Sequence, residues 1–268
     1  MSSKRRSAHA IITGGSSGIG LATARLLAAR GTTVSLVARG TDRLDAAATE
    51  LRAAGATVHT ESVDVAEQDA VFAAVRGLVA TAGPCDLLVT SAGLARPGRF
   101  LELDDAVFRQ MMEVDYFGTL YCIQAVAPDM VEAGRGSIMA VSSGAALFGF
   151  YGYTAYAPAK FAVRGLMEAL RGELKPHGVH VGCVYPPDVD TPQLADENRF
   201  KPAETAAISG TIKPMTAEAV AKSIVRAIDD ERFAVYPDRG VALLSGLVPL
   251  TAPLWRRYAD CKARSVSD

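Results

Sequence analysis

The sequence has no excess of charge of either sign: 28 Lys and Arg stand against 29 Asp and Glu, for a formal net charge of −1. A nucleic-acid partner calls for a basic face or tail, so none is expected. Cysteine is sparse. Cys85, Cys122, Cys183 and Cys261 are too widely spaced for a CxxC pair or a zinc-binding pattern, which leaves reduced, mostly buried thiols. The four histidines (His9, His59, His177 and His180) form no HExxH, and Gly178 separates the last two, so no metal site is expected. No apolar signal region precedes the first strand, which places the expected compartment in the cytoplasm. The segment 241–255 has fifteen residues without a charge. It falls short of the ~20 needed to span a bilayer, and Pro249 and Pro253 interrupt it. Repeats and low-complexity linkers are absent too. Apolar residues make up 49% of the chain and charged residues 21%, which excludes disorder.

Apolar strand patterns alternate with helical patterns along the whole length. The strands are expected at Ala8–Thr13, Thr33–Ala38, Thr57–Val63, Asp86–Thr90, Gly136–Ser142, Val179–Tyr185 and Phe233–Tyr236. Between them, helices are expected at Ile19–Arg30, Arg43–Ala54, Gln68–Ala82, Asp104–Glu132, Tyr156–Lys175 and Ala217–Asp229. This alternation implies βαβ units and a parallel sheet covered by helices on both faces, in one domain over 1–268. Two segments break the rhythm. The polar, Pro-rich stretch at about 186–215 follows a strand's carboxyl end, where open α/β sheets bind ligands, and is a candidate substrate lid. The apolar segment 241–255 has three readings: a substrate cleft, a subunit interface or contact with a membrane surface.

Thr13-Gly14-Gly15-Ser16-Ser17-Gly18-Ile19-Gly20 follows the first strand and opens a helix. Glycines at 14, 18 and 20 permit a tight turn, and the free amides at the helix start suit a pyrophosphate. The next strand ends at Ala38-Arg39 without an acid to receive a ribose 2′-hydroxyl. Arg39, with Arg43, therefore favours the 2′-phosphate of NADP(H), against the alternative of a solvated arginine. The same loop also contains Gly14-x-Ser16-x-Gly18, the pattern of a hydrolase nucleophile elbow, with His177 or His180 as partner. Its place at the first strand makes that match accidental. Tyr156 and Lys160 stand at i and i+4 on one helix face. An ammonium about 4 Å from a phenol favours the phenolate by roughly three pKa units. Lys160 is thus expected to tune Tyr156 into an acid/base near neutrality. Ser143, at a strand end thirteen positions ahead of Tyr156, can donate to a carbonyl oxygen that gains charge as hydride arrives.

With these residues assembled, the chain resembles the short-chain dehydrogenase/reductase family over nearly its whole length. The matching features are TGGSSGIG at 13–20, Asp64-Val65, Ala92-Gly93, Ser143, and Tyr156 with Lys160. The resemblance implies a seven-stranded Rossmann sheet. It implies cofactor binding by Gly14, Ser16, Ser17, Gly18, Ile19, Ala92 and Gly93. It also implies adenine contact at Asp64 and Val65, ribose contact from Tyr156 and Lys160, and nicotinamide contact near Pro186, Val189 and Thr191. It further implies a homo-oligomer, often formed through the helices here placed at Asp104–Glu132 and Tyr156–Lys175. A narrower resemblance, to the 3-ketodihydrosphingosine reductase subfamily, rests on LVARGTDRL at 36–44, LFGFYGYTAYAPAKFAVRGLMEAL at 147–170 and YPPDVDTPQLADENRFKPAETAAIS at 185–209. It implies NADPH-dependent reduction of a long-chain sphingoid ketone. Two positions depart from the family pattern. Thr90 replaces the usual Asn after the fourth strand, and Asp115 replaces the catalytic Asn of the long helix. An Asp at 115 adds a charge near Lys160, which it either draws away from Tyr156 or joins in proton relay. Another ketone, alcohol or 3-oxoacyl substrate, and a catalytically impaired NADP-binding member, are the alternatives.

Overall fold

The structure is a computed structural model and describes residues 8–209, 213–243, 245–246 and the single positions 253, 257 and 261. Among them are nine strands: β1 (His9–Thr13), β2 (Thr33–Ala38), β3 (Val58–Ser62), β4 (Leu87–Thr90), β5 (Gly136–Val141), β6 (Val179–Val184), β7 (Val189–Asp190), β8 (Met215–Thr216) and β9 (Ala234–Val235). Seven of them form one sheet in the order β3-β2-β1-β4-β5-β6-β9, with every pairing parallel. β7 and β8 pair apart from it.

The helices are α1 (Gly18–Ala28), α2 (Thr41–Ala53), α3 (Gln68–Ala82), α4 (Asp105–Met111), α5 (Gly118–Glu132), α6 (Tyr156–Leu174), α7 (Pro192–Glu197), α8 (Ala203–Ser209) and α9 (Ala217–Asp229). Successive strand residues point to opposite faces, so each strand feeds two cores. Ile12, Leu87 and Met139 meet Leu27, Leu44 and Ile224 of α1, α2 and α9 on one face. Ile11, Leu88 and Ile138 meet Leu78, Ile123 and Val163 of α3, α5 and α6 on the other. This is the Rossmann architecture that the sequence implies.

Three differences from the sequence reading have physical reasons. The expected single helix Asp104–Glu132 is two helices joined by a π turn over Met112–Phe117, whose wider winding buries the adjacent Val114 and Asp115. The polar segment after β6 is not a plain loop. Pro192 starts α7, whose N-cap Thr191 accepts from the Leu194 amide at 3.3 Å, and α8 and β8 follow. The last strand is only two residues long, at the sheet edge. The apolar segment 241–255 lies mostly outside the described residues.

Candidate active site

In the sheet order, the chain leaves β1 toward β2 and β3, then returns to its other side as β4. The switch point therefore lies between β1 and β4, where open sheets bind ligands outside the carboxyl ends of their strands. Gly14 lines it in the left-handed region (φ 65°), and a Cβ there would lie 2.6 Å from the Ser91 carbonyl oxygen. The Thr13 hydroxyl accepts from the Ser91 and Ala92 amides at 3.2 and 3.1 Å, which locks the two loops together. A Cβ on Gly20 would strike the Gly14 carbonyl, so that helix start tolerates no side chain. Ser16, Ser17, Gly18 and Ile19 are half-buried at the mouth of α1. Thr191 closes over Gly18 from the opposite side, with its Cγ2 3.0 Å from the position of a Gly18 Cβ.

Arg39 and Asp64, expected at opposite edges of an adenosine group, face one another with a 3.6 Å contact between exposed side chains. Arg43 stands exposed on α2. Val65 is buried against Gly118, where a Cβ would lie 2.6 Å from Val65 Cγ2.

Ser143 leaves β5 extended and caps the following turn, its hydroxyl accepting from the Ala145 amide at 3.1 Å. Tyr156 begins α6 and hydrogen-bonds Ser143. Its neighbour Ser142 points the other way and donates to the Lys160 carbonyl at 3.0 Å, so β5 holds α6 in place. Lys160 is buried, with Nζ 5.6 Å from the Tyr156 ring centroid and 3.3 Å from the Val141 carbonyl oxygen. Asp115 is fully buried in the π turn, and its Oδ1 lies 3.3 Å from Lys160 Nζ. The same oxygen accepts from the Leu94 amide at 3.1 Å. Asp115 Oδ2 has no hydrogen-bond partner among the described residues, and the same holds for Thr90 Oγ1. Gly93 borders the pair. A Cβ there would lie 2.6 Å from Asp115 Oδ1 and 3.3 Å from Lys160 Nζ.

This arrangement corrects the expected tuning of Tyr156. The phenol is pushed well above its ordinary value rather than toward neutrality. Burial is the first cause and the Asp115 carboxylate the second, while the Ser143 hydrogen bond pulls the other way. The spacing argument placed the ammonium beside the phenol; in the structure it sits nearer to Asp115.

Pro186, Val189 and Thr191 follow β6 at the same end. The Pro186 carbonyl accepts from the Gly144 amide at 2.8 Å, next to Ser143. The segment beyond them carries a cluster that sequence reasoning missed. Tyr153 donates to Glu197, while Lys201 lies 3.1 Å from Glu197 and 3.2 Å from Asp188. The Tyr153 ring stands 5.8 Å from that of Tyr156, so the cluster adjoins the phenol. Only the i, i+4 spacing of Glu197 and Lys201 signalled it. A second tie joins Arg99 to the buried Glu204 at 3.1 Å.

The hydrolase pattern finds no triad. His180 bonds the Ser137 hydroxyl at 2.8 Å and the Arg232 carbonyl at 3.1 Å, toward the amino ends of the strands, and His177 is exposed before β6. No group of three or more His, Cys, Asp or Glu suited to a metal occurs among the described residues. Cys85, Cys122 and Cys183 are buried free thiols, as expected, and Cys261 is exposed.

Comparison with known proteins agrees with this geometry. The short chain dehydrogenase family model matches residues 8–202. A 3-dehydrosphinganine reductase of Danio rerio is 41% identical over 258 residues, covering 93% of this chain and 78% of that protein. A short-chain dehydrogenase/reductase of Burkholderia phymatum, solved with NAD, superposes with a TM-score of 0.84 at 25% identity, covering 94% of this chain and 96% of that one. A short-chain dehydrogenase of Sphingobium yanoikuyae, solved with NADPH, gives 0.77 at 25% identity over 97% of this chain and 95% of that one.

Proposed function

The chain belongs to the short chain dehydrogenase family, and from that premise we propose that it is an NADPH-dependent oxidoreductase that reduces the 3-keto group of 3-ketodihydrosphingosine (3-dehydrosphinganine). The observation that carries the reaction is the Ser143–Tyr156–Lys160 cluster at the carboxyl end of β5, beside the glycine cradle at the sheet's switch point. The substrate reading rests on the 41% identity to the reductase of Danio rerio, together with the lid segment 185–209.

The residues fit the cofactor. Gly14 lets the Ser91 loop close onto the turn, Gly93 lets Asp115 and Lys160 approach, and Gly18, in the left-handed region (φ 52°), turns the chain into α1 beneath Thr191. The amides of Ser16, Ser17, Gly18 and Ile19 would face a pyrophosphate at the helix start. Arg39, supported by Arg43, would take the 2′-phosphate. This choice matters, because the two structural neighbours carry NAD and NADPH respectively. Asp64 and Val65 would border the adenine, Ala92 and Gly93 the adjoining loop, Tyr156 and Lys160 the ribose, and Pro186, Val189 and Thr191 the nicotinamide. NADPH supplies the hydride when bound. The Ser143 hydroxyl donates to the ketone oxygen as negative charge gathers there. Tyr156 then donates its phenolic proton to that oxygen. The segment 186–215 closes over the site as a lid. The enzyme works in the cytoplasm, as a homo-oligomer, on a substrate drawn from a membrane surface.

NADPH oxidation with 3-ketodihydrosphingosine, run beside NADH and a panel of short ketones, tests the reading. Selective turnover of the long-chain ketone with NADPH is expected. Turnover of short ketones alone would overturn the substrate, and tight NADPH binding without turnover of any ketone would overturn the activity.

A further inference from the structure

Asp115 stands where a neutral side chain would leave the Lys160 ammonium free to act on Tyr156. Its carboxylate is fully buried, contacts Nζ at 3.3 Å, and is fixed by the Leu94 amide at 3.1 Å. The Asp115 backbone carbonyl is tied as well, accepting the Thr119 hydroxyl at 2.8 Å. Asp115 is therefore held in place by the π turn, and the buried Lys160 ammonium meets it there. Gly93 lets the two groups approach, because any Cβ there would sit 2.6 Å from Oδ1. We propose that Asp115 is a positioning residue that holds the Lys160 ammonium on its own carboxylate, and thereby sets Tyr156 as a proton donor rather than a proton acceptor.

Lys160 is one helical turn from Tyr156, and an uncompensated ammonium there would stabilise the phenolate. Opposite it stands Asp115, whose carboxylate raises the phenol; burial lifts the Asp115 carboxyl, and Lys160 and the Leu94 amide pull it back toward the charged form. The other groups facing Tyr156 do not restore the balance. Ser143 after β5 donates a neutral hydrogen bond. Tyr153, ahead of α6, is committed to Glu197. From the lid, Asp188 and Glu197 raise the proton affinity of Tyr156 further, and Lys201 is held between those two carboxylates. A site with this charge pattern donates protons over a wide pH range. It abstracts them from an alcohol only at high pH. It is thus built for ketone reduction, the direction assumed in the proposed function, on which this inference rests.

The test is an ultraviolet difference titration of phenolate absorbance in the purified full-length chain. Each form is subtracted from its Tyr156→Phe counterpart, with circular dichroism confirming the fold at each pH. In Asp115→Asn the Tyr156 transition is expected to begin about one to three pH units lower than in the parent. Asp115→Ser, also neutral but one atom shorter, should move it the same way. The alkaline limb of the ketone-reduction profile should fall by the same interval. A transition that stays in place in both variants, or rises, overturns the proposal. So does a shift in Asp115→Asn alone, which would trace to amide contacts and not to charge. A shifted titration in a chain that reduces no ketone would leave this inference standing and remove the proposed function.

Discussion

At the scale of single residues, the account makes Tyr156 the proton donor and Arg39 the selector of the phosphorylated cofactor. Tyr156→Phe should lower kcat by about 10²- to 10⁴-fold, the usual worth of a positioned acid. NADPH binding, followed by its fluorescence, should change little by comparison. The Arg39 side chain is exposed, with Asp64 at 3.6 Å as its charged neighbour, so it can meet a phosphate. Arg39→Ala should raise the KM for NADPH by about tenfold or more, a charged hydrogen bond being worth ~1.5–3 kcal/mol, and leave the KM for NADH nearly unchanged. Steady-state kinetics with both cofactors reads the difference. Gly93→Ala should cost most of the activity, because its methyl group must displace Asp115 or Lys160. Ser143, Tyr156, Lys160 and the glycines were legible in the sequence from residue type and spacing. The direction in which Tyr156 is shifted was not. It rests first on the burial of Tyr156, which only the fold shows, and then on Asp115, whose pull on Lys160 the sequence offered as one of two readings.

At the scale of elements, the strands and most helices were legible because burial on both faces writes long apolar runs. The π turn was hidden, since Met112–Phe117 keeps the apolar pattern of its flanking helices. The lid helices were hidden for the opposite reason: α7 and α8 are short, and the prolines around them read as loop. The segment after β6 buries Leu194 and Ile208, and a polar cluster ties it down as well. Tyr153, Glu197, Lys201 and Asp188 form a network among half-buried or buried groups. Burial raises the Glu197 carboxyl, against the pull of Tyr153 and Lys201. A carboxyl whose folded-state proton affinity exceeds the unfolded one adds stability at low pH and loses it as pH rises through the raised value. Glu197→Gln, which does not titrate, should therefore gain stability relative to the parent as pH increases across that window. Urea midpoints of the two proteins at successive pH values would show the trend. A constant difference would mean that Glu197 is not shifted upward.

At the scale of the whole molecule, one sheet sets the layout. Its two helical layers cover its faces, and the switch point between β1 and β4 lies at the carboxyl ends of the strands. The charge-free segment 241–255 was legible as an oddity, but it lies mostly outside the described residues. No helix among those residues is long and apolar enough to cross a membrane. Phe117 and Phe161, beside α5 and on α6, remain exposed at 37% and 40%. Packing of these helices against a second copy would cover both rings. Phe161→Asp should then shift the protein to a smaller species in light scattering, whereas an unchanged mass would place the interface elsewhere. The central claim, that this site moves a hydride from NADPH onto a ketone with Tyr156 as proton donor, is most directly tested by isotope transfer. Purified protein would be incubated with 3-ketodihydrosphingosine and NADPH carrying deuterium at C4 of the nicotinamide, and the product read by mass spectrometry. The account predicts one deuterium at C3 of the alcohol when the label is on one face of the nicotinamide and none when it is on the other, with the yield collapsing in Tyr156→Phe. Unlabelled alcohol from both deuterated forms, or an undiminished yield in Tyr156→Phe, would contradict it.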